Sequence, residues 1–138
     1  MEWMLMPLKR YADFSGRSRR KEYWMFALLQ IIVVFGISII GGILGAFSPD
    51  ASGGMSLGGS LMFGLFGLYF LAIIVPSIAV QVRRFHDQDK SGWFVLLNFI
   101  PYLGGLIVFV FMCLDGTKGK NSYGEDPKMS DNVGDVFN

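Results

Sequence analysis

The stretch Arg83-Arg84-Phe85-His86-Asp87-Gln88-Asp89-Lys90-Ser91-Gly92-Trp93 concentrates the side chains best suited to chemistry. It holds the chain's single histidine, next to two carboxylates and two arginines. A histidine so placed is a candidate pH-sensitive group or proton shuttle. The competing expectation is an ion-pair cluster of Arg83, Arg84, His86 and Asp87 that closes a short loop. Adjacent residues do not face one another on a helix, and one histidine makes no metal site, so the ion-pair cluster is favoured. Two aspartates in one loop also fall short of the acidic array a metal-dependent lipid phosphotransferase needs. The run Gly116-Thr117-Lys118-Gly119-Lys120-Asn121 looks like a phosphate loop at a glance. Only two residues separate its glycines where that loop needs four, so a turn is expected. The single Cys113 excludes an internal disulfide and reads as an inert thiol in apolar surroundings. No catalytic, cofactor-binding or metal-binding residues emerge, and no nucleic-acid partner is expected.

These residues sit between stretches that dictate the architecture. Tyr23–Pro49, Ala51–Val82 and Ser91–Leu114 contain 27, 32 and 24 residues with no charge among them. A helix of about 20 apolar residues crosses the hydrocarbon core. The expected fold is therefore an all-α integral membrane protein with three transmembrane helices, over residues 23–47, 60–82 and 93–114. A short interfacial segment precedes them and a flexible polar tail follows. Residues 1–127 form a single membrane domain in this division, and 128–138 a disordered end; the Gly-, Asp- and Asn-rich composition from Asp115 onward suggests exposure and partial disorder. A cleaved signal peptide fits the first span poorly, because its 22-residue basic region and long apolar run exceed the usual pattern. Residues Met1–Phe14 mix aromatics with Lys9 and Arg10 and suit a short helix in the interface, with Pro7 in its first turn.

Charge orients the spans. Six of the twelve Lys and Arg precede the first span, three lie in the second connection and three in the tail, and none in Ser48–Gly59. Three spans with the N-terminus in the cytoplasm put nine inside and three outside, which predicts a periplasmic C-terminus. Arg17, Arg19, Arg20 and Lys21 chiefly orient the first span, with anionic lipid as a further partner. Gly41 and Gly45 in span one, and Ser60, Gly64 and Gly67 in span two, have the small-residue spacing of close helix packing. Pro76 and Pro101 predict kinks, and a break at Pro101 would also permit a re-entrant hairpin. Ser91 is placed to cap span three.

Three blocks complete the picture: Phe14-Ser15-Gly16-Arg17 through Arg20-Lys21-Glu22-Tyr23-Trp24; Arg83–Asp87 with Ser91-Gly92-Trp93, Ile100-Pro101 and Gly104; and Gly116-Thr117, Gly119, Asn121, Tyr123-Gly124 and Asp126-Pro127. Together they resemble the domain-of-unknown-function 805 (DUF805) family of small YhaH-like bacterial inner-membrane proteins. Asp115, Glu125 and Phe94 depart from its usual pattern. The resemblance implies an inner-membrane location and a multi-span helical fold, and no activity. All three blocks fall at membrane boundaries, which favours an interfacial interaction surface built from Arg17, Arg19, Arg20, Glu22, Arg83, Arg84, His86 and Asp87, with Glu22 near Arg83 or Arg84. The expected role is a non-enzymatic scaffold or regulatory protein, acting as a homo-oligomer or with a membrane-protein partner. A small transporter or oligomeric channel subunit is the alternative, although the spans hold no ionisable residue to couple transport. A lipid head-group enzyme using His86 and Asp87 comes third.

Overall fold

The computed structural model describes residues 2–47 and 57–129. Its helices are α1 (Glu2–Lys9), α2 (Arg20–Phe47), α3 (Leu57–Asp87), a 3₁₀ helix (Gly92–Phe99) and α4 (Leu103–Cys113). Among the described residues the extended structure is a single isolated bridge, Asn121 to Gly124. Two helices are long and apolar enough to cross a membrane, over Arg20–Gly45 and Gly58–Asp87. Both extend past the expected spans into the charged flanks, so the ionisable residues ride on regular helix. Residues 48–56 of the expected turn, and 130–138 of the expected tail end, lie outside the described residues. The chain divides into two compact units, Met1–Phe26 with Val75–Asn138, and Ala27–Ile74.

In the second unit, the helical backbones approach closely where Gly41 meets the Met62 side chain and Gly58 meets the backbone of Leu44 and Gly45. A Cβ at Gly41 or Gly58 would collide with these atoms. Gly64 and Gly67, expected to pack, have open space where a Cβ would stand, and Ser60 is exposed. On α3 the close contact is made nearer the start of the helix than the small-residue spacing suggests, at Gly58. A polar link joins the same helices where the Tyr69 hydroxyl donates to Gln30 Oε1.

The first unit differs more from expectation. Span three is not one helix over 93–114. Ser91 caps the 3₁₀ helix by accepting from the Trp93 N–H at 3.4 Å. That helix ends at Ile100, held extended at φ −79°, ψ 114° as proline requires of its predecessor. Tyr102 then takes a left-handed φ of 66°, which no continuous helix accommodates. The chain doubles back into α4, with Gly104 N–H bonded to Ile100 O at 3.0 Å. A Cβ on Gly104 would strike the Leu97 carbonyl, so glycine permits the tight return. Phe85, Val108 and Met112 form the buried core, lined by Tyr23, Val95, Leu97 and Phe111. Trp24 meets Phe109 edge-on with centroids 5.6 Å apart, which seats α4 against the start of α2.

Pro7 is the sixth residue of α1 and buried, rather than in its first turn. The segment from Asp115 to Met129 is folded against the rest of its unit, not a free tail. Pro76 lies inside α3, which continues through it to Asp87.

Candidate functional site

The site forms where the end of α3 receives two segments distant in sequence. Arg83 and Arg84 are fully buried there, an arrangement that demands partners because a lone buried charge is costly. Arg83 faces the N-terminal segment. Its Nε donates to Ser18 Oγ at 3.0 Å and its Nη2 to Glu22 Oε1 at 3.0 Å. Its Nη1 donates to the carbonyls of Arg10 and Asp13. Ser18 in turn donates to Glu22 Oε2 at 2.8 Å, and its N–H bonds the Arg83 carbonyl at 3.1 Å. Both oxygens of Glu22, which opens α2, are thereby used.

Arg17 and Arg84 share Asp87 on its two oxygens. The Arg17 fork then reaches the C-terminal segment, donating to Thr117 O at 2.5 Å and Gly119 O at 2.6 Å. Arg84 donates to Leu114 O at the end of α4, while its Nε has no hydrogen-bond partner among the described residues. The Thr117 N–H bonds Asp87 O at 2.8 Å, and Gly116 lies so close to the Asp87 carboxylate that a Cβ would collide with it. Both ends of the third apolar segment are thus held at one cluster. At its start, the Lys90 N–H bonds Phe85 O at 3.0 Å.

His86 is held by a hydrogen bond and a ring stack rather than by the carboxylates of the expected ion-pair cluster. Its Nδ1 lies 3.2 Å from Gly16 O, so that nitrogen carries the proton and donates. Its ring stacks on Tyr123 with centroids 3.9 Å apart and 5° between planes. Asn121 Nδ2 donates to His86 O at 2.9 Å. Arg19 and Arg20 sit at the margin: Arg19 donates to Pro127 O and lies over the Trp3 ring at 5.4 Å, while Arg20 makes an exposed ion pair with Asp115 at 3.1 Å. Of the eight residues expected to form an interaction surface, Arg19, Arg20 and His86 are partly exposed. Arg17, Glu22, Arg83, Arg84 and Asp87 are buried, because each carries hydrogen bonds that join separate segments.

Outside the apolar helices, three carboxylates are held below their ordinary range. Asp13 is lowered chiefly by the Ser15 hydroxyl and then by Arg10. Asp115 is lowered by hydrogen bonds from Arg20 and Lys128. Asp126 is lowered by the N–H groups of Lys128 and Gly119, both of which it accepts. Among the described residues, no group of three or more His, Cys, Asp or Glu is arranged to hold a metal ion.

Sequence reasoning did not assign Ser18, Gly116, Thr117, Asn121 and Tyr123 to the site. The signal was present: the last four lie in the block from Gly116 to Pro127, and the site they join is the charge-rich end of α3.

A helical membrane protein with a buried arginine–carboxylate network of Arg17, Glu22, Arg83, Arg84 and Asp87 at the end of its second long helix is the class this architecture defines. The family described as protein of unknown function (DUF805) matches residues 11–125, and the chain belongs to it. Inner membrane protein YhaI of Escherichia coli strain K12 is 46% identical over 132 residues, covering 96% of this chain and 100% of that protein. Inner membrane protein YhaH of the same strain is 43% identical over 129 residues, covering 94% and 98%. No solved structure matches.

Proposed function

We propose that the chain is a non-enzymatic scaffold or regulatory protein of the bacterial inner membrane, with two spans, both termini in the cytoplasm, and residues 91–114 as a re-entrant hairpin. The observation that carries this reading is the reach of Arg17. It precedes the first span, yet bonds the carbonyls of Thr117 and Gly119 beyond the last apolar segment. No side chain crosses a hydrocarbon core about 30 Å thick. The positive-inside rule supports the same arrangement, since all twelve Lys and Arg then lie inside, in place of nine against three. Phe99 and Tyr102, 82% and 99% exposed at the hairpin's turn, suit contact with lipid.

The network's chemistry favours structure over catalysis. Arginines occupy both Asp87 oxygens, which leaves neither directed at a substrate. That weakens the lipid head-group enzyme. Reconstitution and capture test the scaffold. Vesicles holding the purified protein should show solute flux no higher than empty vesicles. Capture from membranes in mild detergent should retain a defined protein partner that the Arg17→Gln variant loses. Flux rising with protein content would replace this reading with the small transporter or oligomeric channel subunit.

A further inference from the structure

A cavity of about 500 Å³ lies where the end of α3 meets the start of the 3₁₀ helix, apart from the arginine–carboxylate network. Phe14, Trp93, Tyr123 and the His86 ring line it, together with Ser91 and Gly92, and no Lys, Arg, Asp or Glu is among its walls. His86 supplies a directed polar group. Its Nδ1 is held at 3.2 Å from Gly16 O and its ring is stacked on Tyr123, so the imidazole has one orientation. With the proton on Nδ1, a neutral imidazole presents Nε2 as an acceptor. Nothing among the described residues donates to that nitrogen. A Cβ on Gly92 would stand 3.1 Å from it, so glycine keeps the space beside Nε2 open.

A second cavity, of about 370 Å³, shares Ser91 and Trp93 with the first. Its other walls are Phe94, Leu96, Leu97 and Ile100, along the apolar 3₁₀ helix. An aromatic chamber with a fixed acceptor thus adjoins an apolar groove on the segment that enters the bilayer. This pairing fits a molecule with a flat uncharged ring, a hydroxyl to donate and a hydrocarbon tail. A fatty alcohol offers no ring to the aromatic walls, and a phosphate head group meets no cation there. We propose that the two cavities bind an isoprenoid quinol, with its ring in the aromatic chamber, one hydroxyl donating to His86 Nε2 and its tail along Leu96 and Ile100. The oxidised quinone carries carbonyls in place of hydroxyls, has no proton to give Nε2, and binds more weakly. The site goes beyond the scaffold role and rests on the re-entrant hairpin and its place in the membrane.

Native mass spectrometry of the full chain in detergent, under anaerobic conditions, tests this with a short-chain ubiquinol, its quinone, its dimethyl ether and farnesol. The wild-type protein should retain the quinol at least about five-fold over each of the other three, the factor expected from one hydrogen bond. His86→Asn can still donate to Gly16 O but lacks the acceptor, so its quinol retention should fall to that of the ether. Trp93→Ala removes a wall shared by both cavities, and Trp93 is 77% exposed, so the core is spared. Its quinol retention should fall at least about five-fold. Lys120→Gln, remote from both cavities, should behave as wild type. Equal retention of quinol and ether by the wild-type protein means an adventitious apolar contact only and overturns the proposal, whatever the variants do. Quinone or farnesol bound as well as the quinol overturns it too, as does a preference that survives in folded His86→Asn. A periplasmic C-terminus would refute the topology proposed above, whereas this comparison is made in detergent and turns on the ligand alone.

Discussion

Arg17 and Asp87 lie 70 positions apart and meet in a buried ion pair, Nε to Oδ1 at 3.0 Å. Around that pair the N-terminal segment, the end of α3 and the C-terminal segment are joined. Asp87 is the shared element, because Arg84 takes its other oxygen.

Removing one partner of a buried pair typically costs about 3–5 kcal/mol, far more than an exposed pair contributes. Asp87→Asn strips the counter-charge from two buried arginines, so it should destabilise more than Arg17→Lys, which keeps the charge and loses the fork. Thermal unfolding in detergent measures both. An Asp87→Asn protein as stable as wild type would show that the network does not hold the fold.

The glycines separate packed from open faces. Gly41→Leu inserts bulk against Met62 and should destabilise by about 1–3 kcal/mol, the usual range for overpacking. Gly64→Leu meets open space and should change stability by no more than about 0.5 kcal/mol, apart from a gain in helix propensity. Equal losses in detergent melts would contradict this division.

Asp126 offers a pH-dependent test in the C-terminal segment. Two backbone N–H groups stabilise its carboxylate and lower its folded pKa from the ordinary 3.8. A lowered pKa contributes stability above 3.8 that is lost as pH falls through the folded value. The Lys128 amide resonance should therefore titrate with a midpoint below 3.8, and the transition should vanish in Asp126→Asn. A midpoint at or above 3.8 would mean that the turn is not formed.

The apolar helices were legible because more than 20 consecutive residues without a charge suit a hydrocarbon core and little else. The contact between Glu22 and Arg83 follows from placing two antiparallel helices on a short turn. The hairpin at Pro101 was less so. Length and hydropathy allow one crossing over 93–114, and only the combination of extended Ile100, left-handed Tyr102 and compact Gly104 selects the return. The site's burial was also hidden. Gly116, Thr117 and Asn121 look like loop residues, and their role depends on long-range contacts, the first two with Asp87 and the third with the His86 carbonyl, that no local pattern encodes. Gly58 escaped notice because the helix begins earlier than its apolar composition suggests.

The location of the C-terminus tests the central claim most directly. Alkaline phosphatase, active only in the periplasm, and green fluorescent protein, fluorescent in the cytoplasm, would each be fused after Asn138. Two spans with a re-entrant hairpin predict fluorescence and no phosphatase activity, as expected if Arg17 and Thr117 share one side of the membrane. Phosphatase activity without fluorescence would restore three full crossings, and would contradict the network that joins Arg17 to Thr117 and Gly119.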